Sequence, residues 1–226
     1  MSLNLEAERL FGEVNLGTGS GIRQKGDLCI MSLVAHLAGE RHSDHPRCVS
    51  PFLRKFAIQL NDGSPDSLRQ DLKPFAPRII GTNDGHDFER ATLTYRVIIE
   101  EVLPRAKRDG IILQENRVQW RSNPLRNFAA SLMTFGLRPW TTYCVDTLCR
   151  AHERADYLRA GALAGQLFTG LVWRAPAHQR WYWAKALELL DRLCESGADR
   201  HFQLGLNGQK ERAPDGINCP SLLLRS

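Results

Sequence analysis

The 226-residue chain is 42% hydrophobic and 24% charged, a balance that excludes a mainly disordered polymer and, with this length, favours one large domain. Thirty basic residues against 25 acidic ones give a formal net charge of +5 and a pI near 9.0. The charge is spread out, with no lysine run or arginine-rich arm, so nucleic acid is an admissible partner on weak electrostatic grounds only.

The first ten residues include Glu6 and Glu8, where a secretory leader needs a basic flank and an unbroken apolar core. The longest apolar window, 160–173, contains Gln166 and lies between Arg159 and Arg174, short of the ~20 residues of a membrane span. Six cysteines, Cys29, Cys48, Cys144, Cys149, Cys194 and Cys219, are too sparse for a disulfide scaffold. These features predict a cytoplasmic protein with free thiols and no membrane contact.

Apolar residues recur at helical spacing almost throughout, which predicts an all-α protein, a single domain of about seven to eight helices. Leu28, Met31, Val34 and Ala38 form the first stripe, closed by Gly39 at a C-cap. A second helix is expected from Val49 to Leu60, ended by Asn61-Asp62-Gly63, and a third starts at Ser64-Pro65-Asp66. A fourth runs from Asp87 to Ala106. Residues 111–120, with Ile111-Ile112-Leu113 and Val118-Gln119-Trp120, read as one short β-hairpin, and 107–123 is where two helical subdomains would join. Helical spacing resumes at Phe128 and continues to Leu171. A last helix from Ala177 to Cys194 carries Trp181, Ala184, Leu187 and Leu190 on one face. The domain is expected to span 1–197, with 198–226 a loosely held tail rich in Gly, Asn and Pro.

Chemistry-bearing residues concentrate between Cys29 and Cys48, which include His36, Glu40, His42, Asp44 and His45. Cys29 falls at the start of a helix, where free N–H groups and the macrodipole favour a thiolate. Cys29, His36 and Glu40 lie within roughly 20° of one line on that helix, but Cys29 and His36 are about 10 Å apart along its axis. A partner for the thiol must therefore come from the turn at Ser43 to Pro46. Three readings stand side by side. In one, Cys29, His45 and Cys48, with His42 as a fourth ligand, bind zinc. In another, Cys29 is the nucleophile of a hydrolase or transferase, His45 its base, and Asp44 or Glu40 the orienting carboxylate. In the third, the cysteines pack as small hydrophobes, Ser43 or Asp44 caps the next helix, and the block is structural.

The stretch from Asp27 to Asp62, with Cys29, Met31, Ala38-Gly39-Glu40, Ser43-Asp44-His45-Pro46, Cys48, Pro51 and Leu60-Asn61-Asp62, resembles a family of uncharacterised helical proteins encoded by bacteria and phages. Lys73-Pro74-Phe75, Pro77-Arg78 and Gly81-Thr82 resemble that family's next segment. The resemblance covers the N-terminal third. It implies a helical fold and an accessory or anti-defence role for a phage or mobile element, and it supplies no mechanism. The chain departs from the family at Ser32, where Glu is usual, and at His42, where Trp is usual, which weakens His42 as a ligand.

Three further patterns remain. Gly161 and Gly165, beside Ala160 and Ala164, allow close helix approach, so the 160–165 face is read either as internal packing or as a homodimer interface. Asp146, Cys149, Glu153 and Asp156 share a helical face with Arg150, Arg154 and Arg159 interleaved, a salt-bridged surface rather than a cation site. Trp173, Trp181 and Trp183, with Arg174, His178 and Arg180, complete a core, stack nucleobases or anchor a protein partner. The leading expectation is an intracellular protein that acts by binding another macromolecule, most simply a protein.

Overall fold

The computed structural model describes residues 14–19, 27–111, 147–148 and 150–196; the hairpin at 111–120 and the tail at 198–226 therefore lie outside the described residues, save Ile111. The fold is all-α. Two strands of two residues each, β1 (Asn15–Leu16) and β2 (Asp27–Leu28), pair in parallel ahead of the helices. The helices are α1 (Ile30–Leu37), α2 (Pro51–Gly63), α3 (Asp66–Arg69), α4 (Ala76–Ile79), α5 (Asp87–Val97), α6 (Leu103–Arg108), α7 (Tyr157–Arg174) and α8 (Gln179–Glu195). One hydrophobic core draws on all of them. Among the described residues no helix is long and apolar enough to cross a membrane.

Local chemistry accounts for most boundaries. Gly39, at φ +72°, ends α1: its N–H donates to His36 O (3.0 Å) and that of Glu40 to Ala35 O (2.8 Å), the paired bonds of a glycine C-cap. α2 starts where Ser50 accepts the Leu53 N–H at 3.1 Å and Pro51 occupies the first turn, two residues later than the apolar pattern predicts. Ser64 does not open the third helix as expected. It closes α2 instead, its N–H on Leu60 O, because Arg69 reaches back to Asn61 O (Nε, 2.7 Å) and Ser64 O (Nη2, 2.9 Å) and holds that carbonyl end. The chain then passes through a 3₁₀ stretch, Gln70–Phe75, between α3 and α4.

Residues 87–108 form one continuous helical run, as the spacing predicts, but Ile98–Val102 widens into a π-turn. The cause is Pro104 in the first turn of α6: its ring clashes with the carbonyl one turn back and it has no N–H to donate, so the ladder relaxes there. The predicted helix ending at Leu171 is broken at Ala155, whose φ is +54°. Asp156 then caps α7, its carboxylate accepting the Arg159 N–H.

α7 runs in the same direction as α2 and packs tightly on it. A Cβ at Gly161 would lie 2.3 Å from Phe52 O, and one at Gly165 2.9 Å from Phe56 O and 2.5 Å from Gln59 Cβ. Further along the same ridge, Thr169 meets Gly63. Phe168 packs edge-on to Phe56, which stacks on Phe52. The 160–165 face is thus filled from within the chain. This corrects the homodimer reading of that face: backbone stands where a second copy would have to sit.

α8 follows α7 through the turn at Pro176–His178. Its buried side is Tyr182, Trp183, Ala186, Leu189, Leu190 and Leu193, whereas the expected face began at Trp181 and included Ala184, which is exposed. The difference arises because Tyr182 and Trp183 each find a polar partner inside: Tyr182 donates to Asp109 Oδ2 (2.8 Å) and Trp183 Nε1 to Asp71 Oδ2 (3.0 Å). Trp181 stays half-buried under the Arg105 guanidinium, 5.1 Å from its ring.

Candidate functional site

Between Cys29 and Cys48, the side chains of Cys29, Glu40, Ser43, Asp44 and His45 make local hydrogen bonds, while His36 is half-buried in the last turn of α1 and His42 is exposed. Cys29 is the N-cap of α1. Its sulfur accepts the Ser32 N–H at 3.3 Å, lies 3.2 Å from Ser32 Oγ, and is 3% exposed. A thiol here does what a serine usually does. The next free donor, Ile30 N–H, is taken by Asn61 Oδ1 at 3.3 Å. Asn61 Nδ2 in turn donates to Gly17 O, and the Gln70 amide brackets Leu16, accepting its N–H and donating to its carbonyl, both at 3.0 Å. Two side-chain amides thereby hold the 14–19 segment beside α1.

Glu40 closes the following loop. Its two oxygens accept the Arg47 N–H (2.8 Å) and the Cys48 N–H (3.1 Å), and the Arg47 bond leads in holding the carboxyl below its ordinary value. Burial, then the adjacent Glu40 carboxylate, pushes the Cys48 thiol up, so it remains protonated. Asp44 pairs with His45 Nδ1 at 2.5 Å on the exposed side of the loop, and that hydrogen bond holds the Asp44 carboxyl low. Ser43 Oγ accepts the His45 N–H at 2.9 Å.

The structure therefore joins Glu40 to Cys48 and Asp44 to His45. It does not join Cys29 to His45: the sulfur's hydrogen bonds go to Ser32, and the imidazole's goes to Asp44. Nor do Cys29, His45 and Cys48 surround one point, for no group of three or more His, Cys, Asp or Glu among the described residues is placed to hold a metal ion. Glu40, rather than Cys29 or His45, is the residue on which the loop is built.

That loop is fastened to the connection before α5. Asn83 donates its backbone N–H to Cys48 O (3.1 Å) and its side-chain amide to Arg47 O (2.9 Å). Ser50 donates its N–H to Thr82 Oγ1 and its hydroxyl to Asp87. Behind them lies Arg90, 0% exposed. It donates to Leu193 O, to Thr82 O and, through both terminal nitrogens, to Asp84 (2.6 and 2.7 Å). Burial is the largest single influence on Asp84 and opposes its ionisation, but the Arg90 hydrogen bonds, the His86 N–H and the Arg90 charge together hold its carboxyl low. Composition gave no hint of Arg90, since arginine on a helix normally faces water.

No family model, curated protein or solved structure matches the chain.

Of the tryptophan group, Trp183 is 3% exposed and Trp181 is half-buried between Arg105 and Lys185. Trp173 differs. It is 61% exposed, yet its single polar atom is satisfied, Nε1 donating to Gly63 O at 2.7 Å. The same ridge of α7 that presents Gly161 and Gly165 to α2 ends at Trp173, so the indole is pinned at one edge and bares a face. Below α6 a second cluster forms. Arg105 Nε donates to both Asp109 oxygens at 2.9 Å, Tyr182 donates to the same carboxylate, and His178 Nε2 stands 3.6 Å from it. Burial opposes the Asp109 charge, and the Arg105 and Tyr182 bonds override it. Burial, with the Asp109 bond, pushes the Tyr182 phenol up. The acceptor is used up, and the cluster locks α8 to the end of α6.

Proposed function

We propose that the protein works by binding a protein partner, with the 29–48 block as a structural element of its core and Trp173 as the anchor of the docking surface. The observation that supports this reading is the state of Trp173: broadly exposed, with its N–H already paired, so it offers a rigid apolar face at small entropic cost. The commitment of Cys29, Glu40 and Cys48 to capping favours binding over chemistry at the block. The resemblance of the N-terminal third to helical proteins of bacteria and phages suggests the setting, an accessory factor acting on a host protein.

The test replaces residue 173 with a photo-crosslinking amino acid and, separately, makes Trp173→Ala. A discrete adduct from residue 173, together with loss of the same partner by Trp173→Ala at unchanged melting temperature, supports the reading. Equal capture by Trp173→Ala, or the absence of any adduct, refutes it.

A further inference from the structure

The helical residues before Ala155, 147–148 and 150–153 among those described, are docked on α5 through an unusual arrangement around His152. The imidazole is 8% exposed and inserts between two rings of α5, lying 5.2 Å from the Phe88 centroid at an interplanar angle of 23° and 6.3 Å from Tyr95 at 14°. Phe88 and Tyr95 are seven residues apart, two turns along one face, which leaves a slot the thickness of one ring. Thr92 lies in the floor of that slot.

The hydrogen bonds decide which nitrogen carries the proton. Thr92 Oγ1 donates to Phe88 O at 2.8 Å, so toward His152 Nε2, 3.3 Å away, it can only accept. Nε2 is therefore the protonated nitrogen of the neutral ring. Nδ1 is a bare lone pair, buried and without a hydrogen-bond partner among the described residues. A second proton would create an N–H with no acceptor and place a positive charge where water does not reach. Glu153 on the same turn favours the proton, as do the ring faces of Phe88 and Tyr95. Asp87 and Glu89, at the start of α5, act on Tyr157, and Arg150 and Arg154, on His152's own turn, are exposed. Burial is the larger effect and holds the imidazole below its ordinary value of 6.5.

The turn that follows is under load. The Ala155 N–H donates to His152 O (3.1 Å) and that of Asp156 to Ala151 O (2.8 Å), a glycine-type C-cap completed by an alanine at φ +54°. A left-handed alanine persists only if its surroundings impose it.

The geometry points to His152 as a proton-operated latch: neutral, it is wedged between Phe88 and Tyr95 and holds the 150–156 turn on α5; protonated at Nδ1, it leaves the slot and frees that turn. With one proton linked to opening, the opening constant rises up to about tenfold per pH unit between the ordinary value and the lower value in the closed form.

Two measurements on the full chain test this. Nitrogen-detected NMR of the imidazoles should show His152 as the Nε2–H tautomer titrating below 6.5; an Nδ1–H tautomer, or titration at or above 6.5, overturns the latch. Neither readout depends on a variant folding. Hydrogen exchange, corrected for intrinsic rates, should show protection of the Arg154, Ala155 and Asp156 amides falling from pH 7.5 to 5.0, by up to about tenfold per pH unit below 6.5, while α2 amides hold, and His152→Phe should abolish the difference. Protection at 154–156 that is independent of pH, or that falls equally in α2, overturns it.

Discussion

Adding one methyl group at Gly161 is the sharpest test of the packing. At an open helical position, glycine to alanine stabilises by about 1 kcal/mol. At Gly161 the new Cβ would stand 2.3 Å from Phe52 O and 3.1 Å from Phe52 C, roughly 1 Å inside van der Waals contact. Backbone on both sides of the clash leaves no side chain to swing away, so α7 must lift from α2. A gap of about 0.5–1 Å forfeits a quarter to a half of the dispersion well for the atoms lining it. Such overpacking costs typically ~1–3 kcal/mol and sometimes more, and it outweighs the propensity gain. We expect Gly161→Ala to lose about 1–3 kcal/mol in urea denaturation followed by circular dichroism, and about 3–10 °C in melting temperature. A variant as stable as the parent, or more so, would refute the close α2–α7 approach. If it also changed mass in light scattering, the face would belong to a dimer after all.

Arg90→Met should destabilise by about 3 kcal/mol or more, because the Thr82 and Leu193 carbonyls lose their donor and Asp84 its cation; denaturation midpoints report it, and a loss below about 1 kcal/mol would show that Arg90 is dispensable. Cys29→Ser should hold stability to within about 0.5 kcal/mol while Cys29→Ala loses about 1 kcal/mol, and a neutral alanine variant would mean that the sulfur caps nothing. The Asp109 carboxyl is held below its ordinary 3.8, so its contribution is present above about pH 4 and is lost as pH falls through the lower folded value. Asp109→Asn should accordingly flatten the acid limb of a stability–pH curve, and an unchanged limb would count against the Arg105–Asp109–Tyr182 lock. Ala155→Gly should raise stability by about 0.5–1 kcal/mol, since relief of the left-handed alanine exceeds the added chain entropy of glycine; differential scanning calorimetry measures it, and a lowered transition would count against strain at Ala155.

Where a feature depends on neighbours along the chain, the sequence makes it legible. Gly39 as a C-cap, the start of α2 near Ser50-Pro51, the long helix after Asp87, and the small-residue spacing at Gly161 and Gly165 are all local patterns of periodicity and capping. The block from Cys29 to Cys48 was legible as a concentration of reactive residue types, but not as a set of caps. Whether a thiol is a nucleophile, a ligand or a cap depends on which donor lies within reach. In the fold the Ser32 N–H donates to Cys29, and the Arg47 and Cys48 N–H groups donate to Glu40.

By itself, then, the sequence determined an all-α chain and several helix ends to within two or three residues, among them the C-cap of α1, the start of α2 and both ends of α8, because helical periodicity and caps are properties of short segments; the break at Ala155 and the short helix Ala76–Ile79 escaped it. Only the tertiary structure decided what those helices face. It put backbone against Gly161, turned Tyr182 inward and left Trp181 half-buried at the edge of the core, buried Arg90 among carbonyls more than a hundred residues apart in one case, and set His152 between two rings. Each of these outcomes depends on a partner that is distant in sequence, and the free energy of pairing a buried polar group is settled only when that partner arrives.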